Sequence, residues 1–130
     1  MVAEALKGKS ILLVDDDQDI LLAMEAALAD SGASIKTAMD GNTAVEISLS
    51  EHPPDLLVLD AMLPKRSGFL VLEKIKPTKK RGAKPYVIMI TGNTGKRHQQ
   101  WAESLGADAY INKPFRMERL VQTIENLLTQ

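Results

Sequence analysis

The feature of this sequence that most constrains the fold is a series of five short runs with strand character, four of them mainly apolar, separated by segments with helical spacing. The runs lie at residues 11–14, 34–38, 55–59, 85–90 and 108–112. Between them apolar residues recur every three or four positions, and Asp17 is a predicted N-cap of the first helix. Strands that are apolar throughout are typical of a parallel sheet covered on both faces. Right-handed connections then predict an α/β fold with a doubly wound, five-stranded parallel sheet.

Composition narrows the class of protein. The chain of 130 residues is long enough for one domain, and a net charge of -1 argues against a dedicated nucleic-acid binder. It contains no cysteine, which excludes disulfides, thiolate metal sites and cysteine nucleophiles. No apolar run approaches the length of a membrane span, and no signal peptide is recognisable at the N-terminus. We therefore expect a cytoplasmic domain with no membrane contact and no direct contact with nucleic acid.

Polar side chains follow the strands at the edge of the sheet where ligands bind in such folds. Asp15 and Asp16 follow the first strand, Asp60 the third, Thr91 the fourth and Lys113 the fifth. Clustered carboxylates repel one another unless a cation intervenes, and their hard oxygens suit Mg²⁺. A metal held by acids, beside a lysine and a hydroxyl, is an arrangement for phosphoryl transfer. An aspartate is then available as the nucleophile that forms an acyl phosphate.

Four short motifs at these strand ends carry a resemblance to a known family. They are Val14-Asp15-Asp16, then Asp60-Ala61-Met62-Leu63-Pro64 with Gly68 following, then Thr91-Gly92, and finally Lys113-Pro114-Phe115. In this order and spacing, over nearly the whole chain, they resemble the bacterial response-regulator receiver domain. The resemblance implies a flavodoxin-like (βα)5 fold with strand order 2-1-3-4-5. It also implies a phosphoryl-accepting role in a two-component signalling system.

The resemblance implies a role for each matching residue of the acidic site. Asp60 would be the phosphorylation site, taking the phosphoryl group from a histidine kinase or a phosphotransfer protein. Asp15, Asp16 and Asp60, with the backbone carbonyl of Met62, would hold Mg²⁺. Lys113 would pair with the phosphoryl group, and its bond to Pro114 is expected to be cis, which costs only about 0.5–1 kcal/mol for a proline.

The resemblance also implies a switch and an output surface. Thr91 would hydrogen-bond the new phosphoryl oxygen, and Tyr110 would change exposure together with it. A downstream protein would then bind the surface formed by the helix at about residues 96–105, the fifth strand and the last helix. A phosphorylation-dependent homodimer is a further prediction. Residues 1–130 are expected to form a single receiver domain with no effector domain. We expect no enzymatic activity other than self-phosphorylation and autodephosphorylation on Asp60.

Two other functions are compatible with a strand-end aspartate. A phosphatase of the haloacid dehalogenase type also uses such a nucleophile with Mg²⁺, but it needs an acid two residues later, where this chain has Met62. A degenerate receiver would serve only as a protein-interaction domain, and the intact acid pair, Thr91 and Lys113 argue against it.

Several residues are less constrained by these patterns. Met62 and Asn93 lie where the hydrolytic water approaches in the family, and we hypothesise that Met62 lengthens the lifetime of the acyl phosphate. Trp101 is interpreted as a helix anchor and His98 as exposed. The stretch from Lys74 to Lys84 carries several cations and no acid, and we interpret it as a solvated connection rather than a site for an anionic partner.

Overall fold

The computed structural model describes residues 5–92 and 95–129 and contains five strands and five helices within them. In chain order the elements are β1 (Ser10–Val14), α1 (Gln18–Leu28), β2 (Ser34–Ala38), α2 (Gly41–Ser48), β3 (Leu56–Asp60), α3 (Gly68–Ile75), β4 (Tyr86–Thr91), α4 (Lys96–Ser104), β5 (Ala109–Asn112) and α5 (Met117–Leu128). The predicted alternation of strand and helix is confirmed, with strand bounds that differ from the prediction by one residue at several ends.

The strands form one parallel sheet in the order β2-β1-β3-β4-β5, which confirms the predicted fold. The order reverses beside β1, because the chain builds β2 on one side of β1 and the remaining strands on the other. The polar residues at the ends of β1 and β3 lie next to this point. The fold therefore directs the acidic residues into one crevice.

Side-chain caps fix where three helices begin, and they lie close to the crevice. Asp17 precedes α1 and its Oδ1 accepts hydrogen bonds from the backbone N–H groups of Asp19 (2.9 Å) and Ile20 (3.3 Å). Asp40 accepts from the N–H of Thr43 at the start of α2. Ser67 caps α3 in the same way. The prediction that Asp17 is a cap is confirmed, and capping leaves its carboxylate engaged with the helix.

The core lies on both faces of the sheet. On one face, Leu12, Leu57 and Met89 pack with α2, α3 and α4 residues, and on the other face alternate strand residues pack against α1 and α5. The expectation of fully covered strands is wrong for β2, where Lys36 and Thr37 are exposed. β2 is an edge strand, so its outer residues meet water and need not be apolar.

The basic stretch differs from its sequence interpretation at one position. Lys76 is 2% exposed, and its Nζ lies 2.6 Å from Asp108 Oδ2, so this lysine is part of the interior rather than of a solvated connection. Its neighbours in sequence, residues 77–84, lie at the surface apart from the half-buried Ala83. Among the described residues, no helix has both the length and the apolar character needed to cross a bilayer.

Candidate functional site

The carboxyl ends of four strands bring five predicted site residues to one crevice. Asp60 and Thr91 are the last residues of β3 and β4, while Asp15 directly follows β1. Asp15, Asp60 and Thr91 are 1%, 4% and 1% exposed, whereas Asp16 is exposed to solvent. Lys113 directly follows β5 and its N–H donates to the Thr91 carbonyl at 2.7 Å. The polar residues are thus positioned by the ends of buried strands, which hold them in place.

Lys113 connects the two buried carboxylates. Its Nζ donates to Asp15 Oδ2 at 3.1 Å and lies 3.6 Å from Asp60 Oδ2. The bond between Lys113 and Pro114 is cis, as predicted. Burial alone lowers the pKa of Lys113, but the hydrogen bond to Asp15 and the charge of Asp60 outweigh it and raise that pKa. The lysine therefore remains a cation placed between two acids.

One ammonium group does not compensate the acids of the crevice. Burial first, and then the charge of Asp15, raise the pKa of Asp60 from 3.8 to about 6. Lys113 and the N–H of Met62 lower this pKa and offset only part of the effect. Burial and the neighbouring carboxylate together disfavour the charged form of Asp60, and a cation in the crevice would compensate that charge. Such a site favours the binding of a cation.

Three carboxylates are arranged so that one ion could contact all of them. One oxygen from each of Asp15, Asp16 and Asp60 lies within 4.8 Å of the others. Asp15 is also fixed by its Oδ1, which accepts the N–H of Asp17 at 2.9 Å. These hard oxygen donors fit a divalent cation such as Mg²⁺, which takes oxygen ligands and retains several waters.

Thr91 and Tyr110 are in contact, which joins the predicted switch residues. Tyr110 lies half-buried on β5, and it shares a side-chain hydrogen bond with Thr91. Burial raises the pKa of Tyr110, while the bond to Thr91 lowers it in part. The two predicted switch residues are therefore linked directly by a hydrogen bond.

Met62 lies at the mouth of the crevice. Its backbone N–H donates to Asp60 Oδ1 at 3.4 Å, and its side chain is 70% exposed. The role of its carbonyl as a metal ligand and its effect on the acyl phosphate remain predictions. Asn93, which the sequence places with Met62 near the hydrolytic water, lies outside the described residues.

Two glycines bring backbone segments close to the site, and composition gives no sign of this. A Cβ on Gly68 would overlap the carbonyl of Asp60, and a Cβ on Gly41 would overlap the carbonyl of Arg66. The N–H of Gly68 also donates to the Ala61 carbonyl at 2.9 Å. These contacts hold the segment from Asp60 to Gly68 against the rest of the crevice.

An aromatic stack joins α4 to α3 on one side of the site. Trp101 lies parallel to Phe69 with ring centroids 4.2 Å apart, while 46% of Trp101 remains exposed. This supports the interpretation of Trp101 as an anchor of α4. The expectation that His98 is exposed is wrong, because its ring is half-buried 5.8 Å from that of Phe69.

The chain is similar to known proteins over most of its length. Residues 11–125 match the family described as the response regulator receiver domain. The chain is 38% identical over 114 residues to the transcriptional regulatory protein DltR of Streptococcus agalactiae, covering 88% of this chain and 49% of that protein. It is 35% identical over 121 residues to the transcriptional regulatory protein GltR of Pseudomonas aeruginosa, covering 93% and 49%. The chain thus spans about half the length of these curated relatives.

Solved structures of receiver domains are similar to this chain. The beryllofluoride-activated receiver domain of DrrB has a TM-score of 0.81 with 31% identity, covering 94% of this chain and 98% of that one. A CheY-like receiver domain from Methanospirillum hungatei has a TM-score of 0.79 with 29% identity, covering 93% and 94%. The chain belongs to the response-regulator receiver family, as its motifs predicted. Receivers are signalling domains that work with histidine kinases and downstream targets, and neither the phosphatase nor the degenerate receiver is favoured.

Proposed function

We propose that Asp60 is the phosphorylation site of this receiver and takes its phosphoryl group from a histidine kinase or a phosphotransfer protein. The observation that carries the proposal is the geometry around Asp60. Its carboxylate lies within 4.8 Å of carboxylate oxygens of Asp15 and Asp16, and 3.6 Å from Lys113 Nζ. Phosphoryl transfer depends on positioning and on charge stabilisation, which this combination provides.

Asp15, Asp16 and Asp60, together with the backbone carbonyl of Met62, would hold Mg²⁺. Burial of Asp60 beside Asp15 raises the pKa of Asp60, which supports this assignment, as does the donor set, which consists of oxygen alone. When bound, the ion would neutralise charge on the phosphoryl oxygens. Asp15 has a second function, because its Oδ2 keeps the Lys113 ammonium directed into the crevice.

The chemical step follows from the position of the Asp60 carboxylate. One of its oxygens attacks the phosphorus of the donor phosphohistidine, and the bond between phosphorus and nitrogen breaks with its electron pair passing to the imidazole. The product is an acyl phosphate on Asp60. Lys113 would stabilise the charge on the transferred group, because its Nζ lies 3.6 Å from Oδ2 of the carboxylate that receives it.

The output follows from the pair Thr91 and Tyr110. A phosphoryl group adds about −1.5 to −2 charges and three acceptor oxygens. The Thr91 hydroxyl, at the end of the neighbouring strand, would donate a hydrogen bond to one of these oxygens. Turning Thr91 toward Asp60 alters its hydrogen bond with Tyr110. We expect this loss or change of the hydrogen bond to alter the surface formed by α4, β5 and α5. In the phosphorylated state, a downstream protein or a second copy of the chain would bind that surface. We place this signalling in the cytoplasm.

Two of the named relatives are transcriptional regulatory proteins, and the chain covers about half of each. We therefore restrict the expectation of no direct contact with nucleic acid to this chain. The motifs and the geometry of the crevice support signalling through phosphorylation.

The test is incubation with acetyl phosphate and Mg²⁺, followed by mass spectrometry of the intact protein. We expect one added phosphoryl group, lost on chelation of the metal and in Asp60→Asn. Asp30→Asn is the matched control, since Asp30 is exposed and lies on the α1–β2 connection. Labelling that survives Asp60→Asn, or that is absent from the wild-type chain, would contradict the proposal, and multiple turnover of general phosphate esters would indicate the phosphatase instead.

A further inference from the structure

The connection between α3 and β4 presents a concentrated positive charge at the surface. We name residues 77–84 the basic loop. It contains four exposed cations and no acidic residue: Lys79, Lys80, Arg81 and Lys84. One of them, Lys84, lies 3.8 Å from Asp55, a partly exposed contact of the kind that contributes little to stability. The other cations show no salt bridge to an acid among the described residues.

A buried carboxylate holds this loop in a defined shape. Asp108 is 4% exposed and lies just before β5. Its Oδ1 accepts the N–H of Gly82 at 2.6 Å, and its Oδ2 accepts the N–H of Val87 at 2.8 Å and Nζ of Lys76 at 2.6 Å. One side chain thereby contacts the C-cap of α3, the middle of the basic loop and the start of β4.

The backbone of the loop adds further constraints. The N–H of Lys79 donates to the carbonyl of Lys76 at 2.9 Å, and that of Ala83 to the carbonyl of Lys80 at 3.2 Å. The turn that precedes β5 packs directly on the loop, because a Cβ on Gly106 would lie 2.8 Å from the carbonyl carbon of Lys79. The exposed lysines therefore extend from an ordered backbone. Burying the charges of Lys76 and Asp108 has a desolvation cost. A connection that served only to join α3 to β4 would not need this pair.

The basic loop lies far from the phosphorylation site. It precedes β4, and Asp108 precedes β5, so both lie at the amino edge of the parallel sheet. Asp60 ends β3 at the opposite edge. The molecule thus carries its acidic crevice and its basic loop at opposite ends of the strands. A ligand on the loop need not respond to the state of Asp60.

We propose that the basic loop, which its sequence alone led us to interpret as a solvated connection, is instead a preorganised docking site for an acidic polypeptide segment of a partner protein. Charge complementarity defines the ligand, and the ordered backbone reduces the entropy lost on binding. The loop offers no aromatic ring for stacking on bases and no large apolar side chain for insertion into a bilayer. Its few adjacent cations match a short acidic segment better than the long phosphate track of duplex DNA.

The test is binding of a fluorescent peptide of about ten glutamates to the whole chain at an ionic strength of about 0.1 M, where a Debye length of about 10 Å keeps charge effects local, followed by anisotropy. We expect saturable binding that weakens about tenfold or more in Lys79→Glu/Lys80→Glu. The matched control is Lys36→Glu/Arg119→Glu, which changes the charge equally at exposed positions elsewhere and should weaken binding less than about threefold. Equal losses in both variants, or no saturable binding, would overturn the proposal.

A second variant tests the ordered backbone rather than the charge. Lys76→Met/Asp108→Asn leaves the net charge and all exposed lysines unchanged but removes the buried ion pair. We expect weaker peptide binding in a chain that still unfolds cooperatively, whereas wild-type affinity would refute preorganisation. If this variant does not fold, the result for Lys79 and Lys80 still decides the proposal.

The nature of the ligand and its independence of signalling are tested with the same chain. Duplex DNA and vesicles containing phosphatidylserine should bind more weakly than the glutamate peptide, and tighter binding of either would overturn the choice of a polypeptide. Asp60→Asn should bind the peptide with wild-type affinity. Peptide binding and Asp60 phosphorylation are therefore measured in separate assays, and either proposal can fail without the other.

Discussion

Replacing Asp60 with asparagine should stabilise the metal-free protein. The substitution keeps the shape of the side chain and removes a charge that is 4% exposed and lies beside Asp15. The pKa of Asp60 rises from 3.8 to about 6 on folding. Each pKa unit corresponds to about 1.4 kcal/mol, and solvent at the open side of the crevice screens part of this, so ionised Asp60 should lower the free energy of unfolding by about 2 kcal/mol.

The sign of the pH dependence follows from the raised pKa. The native state binds a proton on Asp60 more tightly than the unfolded chain, so the stability that the protonated acid contributes is fully present below a pH of about 3.8. It is lost as the pH rises through about 6. The advantage of Asp60→Asn should therefore be close to zero near pH 4 and reach its full size above about pH 7.

Urea unfolding in the presence of a chelator measures this difference. The single tryptophan, Trp101, stacks on Phe69 and provides the fluorescence signal. Asp30→Asn, which removes an exposed acid, should change stability by less than about 0.5 kcal/mol. A variant that is less stable than the wild type at about pH 7.5, or a gain that does not change between about pH 4.5 and 7.5, would refute the reasoning.

Four further predictions concern the site and the interior. Mg²⁺ at about 100 times its dissociation constant should stabilise the wild-type chain by about 2.7 kcal/mol in urea, and chelation or Asp16→Asn should remove most of this gain. Ser48→Ala should raise stability by about 1 kcal/mol, because the Ser48 hydroxyl is buried with no hydrogen-bond partner among the described residues; a loss in urea unfolding would contradict this. Lys76→Met should cost about 3 kcal/mol by leaving Asp108 without its cation, and a change below about 1 kcal/mol would show that the pair is not buried in solution. Met62→Asn should accelerate loss of the phosphoryl group by offering a hydrogen bond to water, measured as the decay of the phosphorylated mass; a slower or unchanged decay would reject the hypothesis.

The sheet and its crevice could be predicted from the sequence because their signals are local. Each buried strand is a continuous apolar run, and Asp60, Thr91 and Lys113 stand directly at strand ends, where the topology brings them together. Right-handed parallel connections leave few other ways to assemble five such units. The predicted site geometry therefore required only strand positions and order.

The features that could not be predicted depend on distant partners. Lys76 lies among other lysines in the sequence, and its burial depends on Asp108, 32 residues away. β2 was expected to be covered, but its position at the edge depends on the strand order as a whole. The half-buried ring of His98 lies 5.8 Å from that of Phe69, which belongs to α3. No periodic pattern records contacts of this kind.

The two glycines beside the crevice set limits on how this receiver can vary. Any side chain at Gly68 would push against the carbonyl of Asp60, and any side chain at Gly41 would push against that of Arg66. Between these fixed points, Met62 and Lys65 are exposed. Substitutions can therefore be accommodated at the two exposed positions, whereas both glycines must be kept for the backbone around Asp60 to retain its shape.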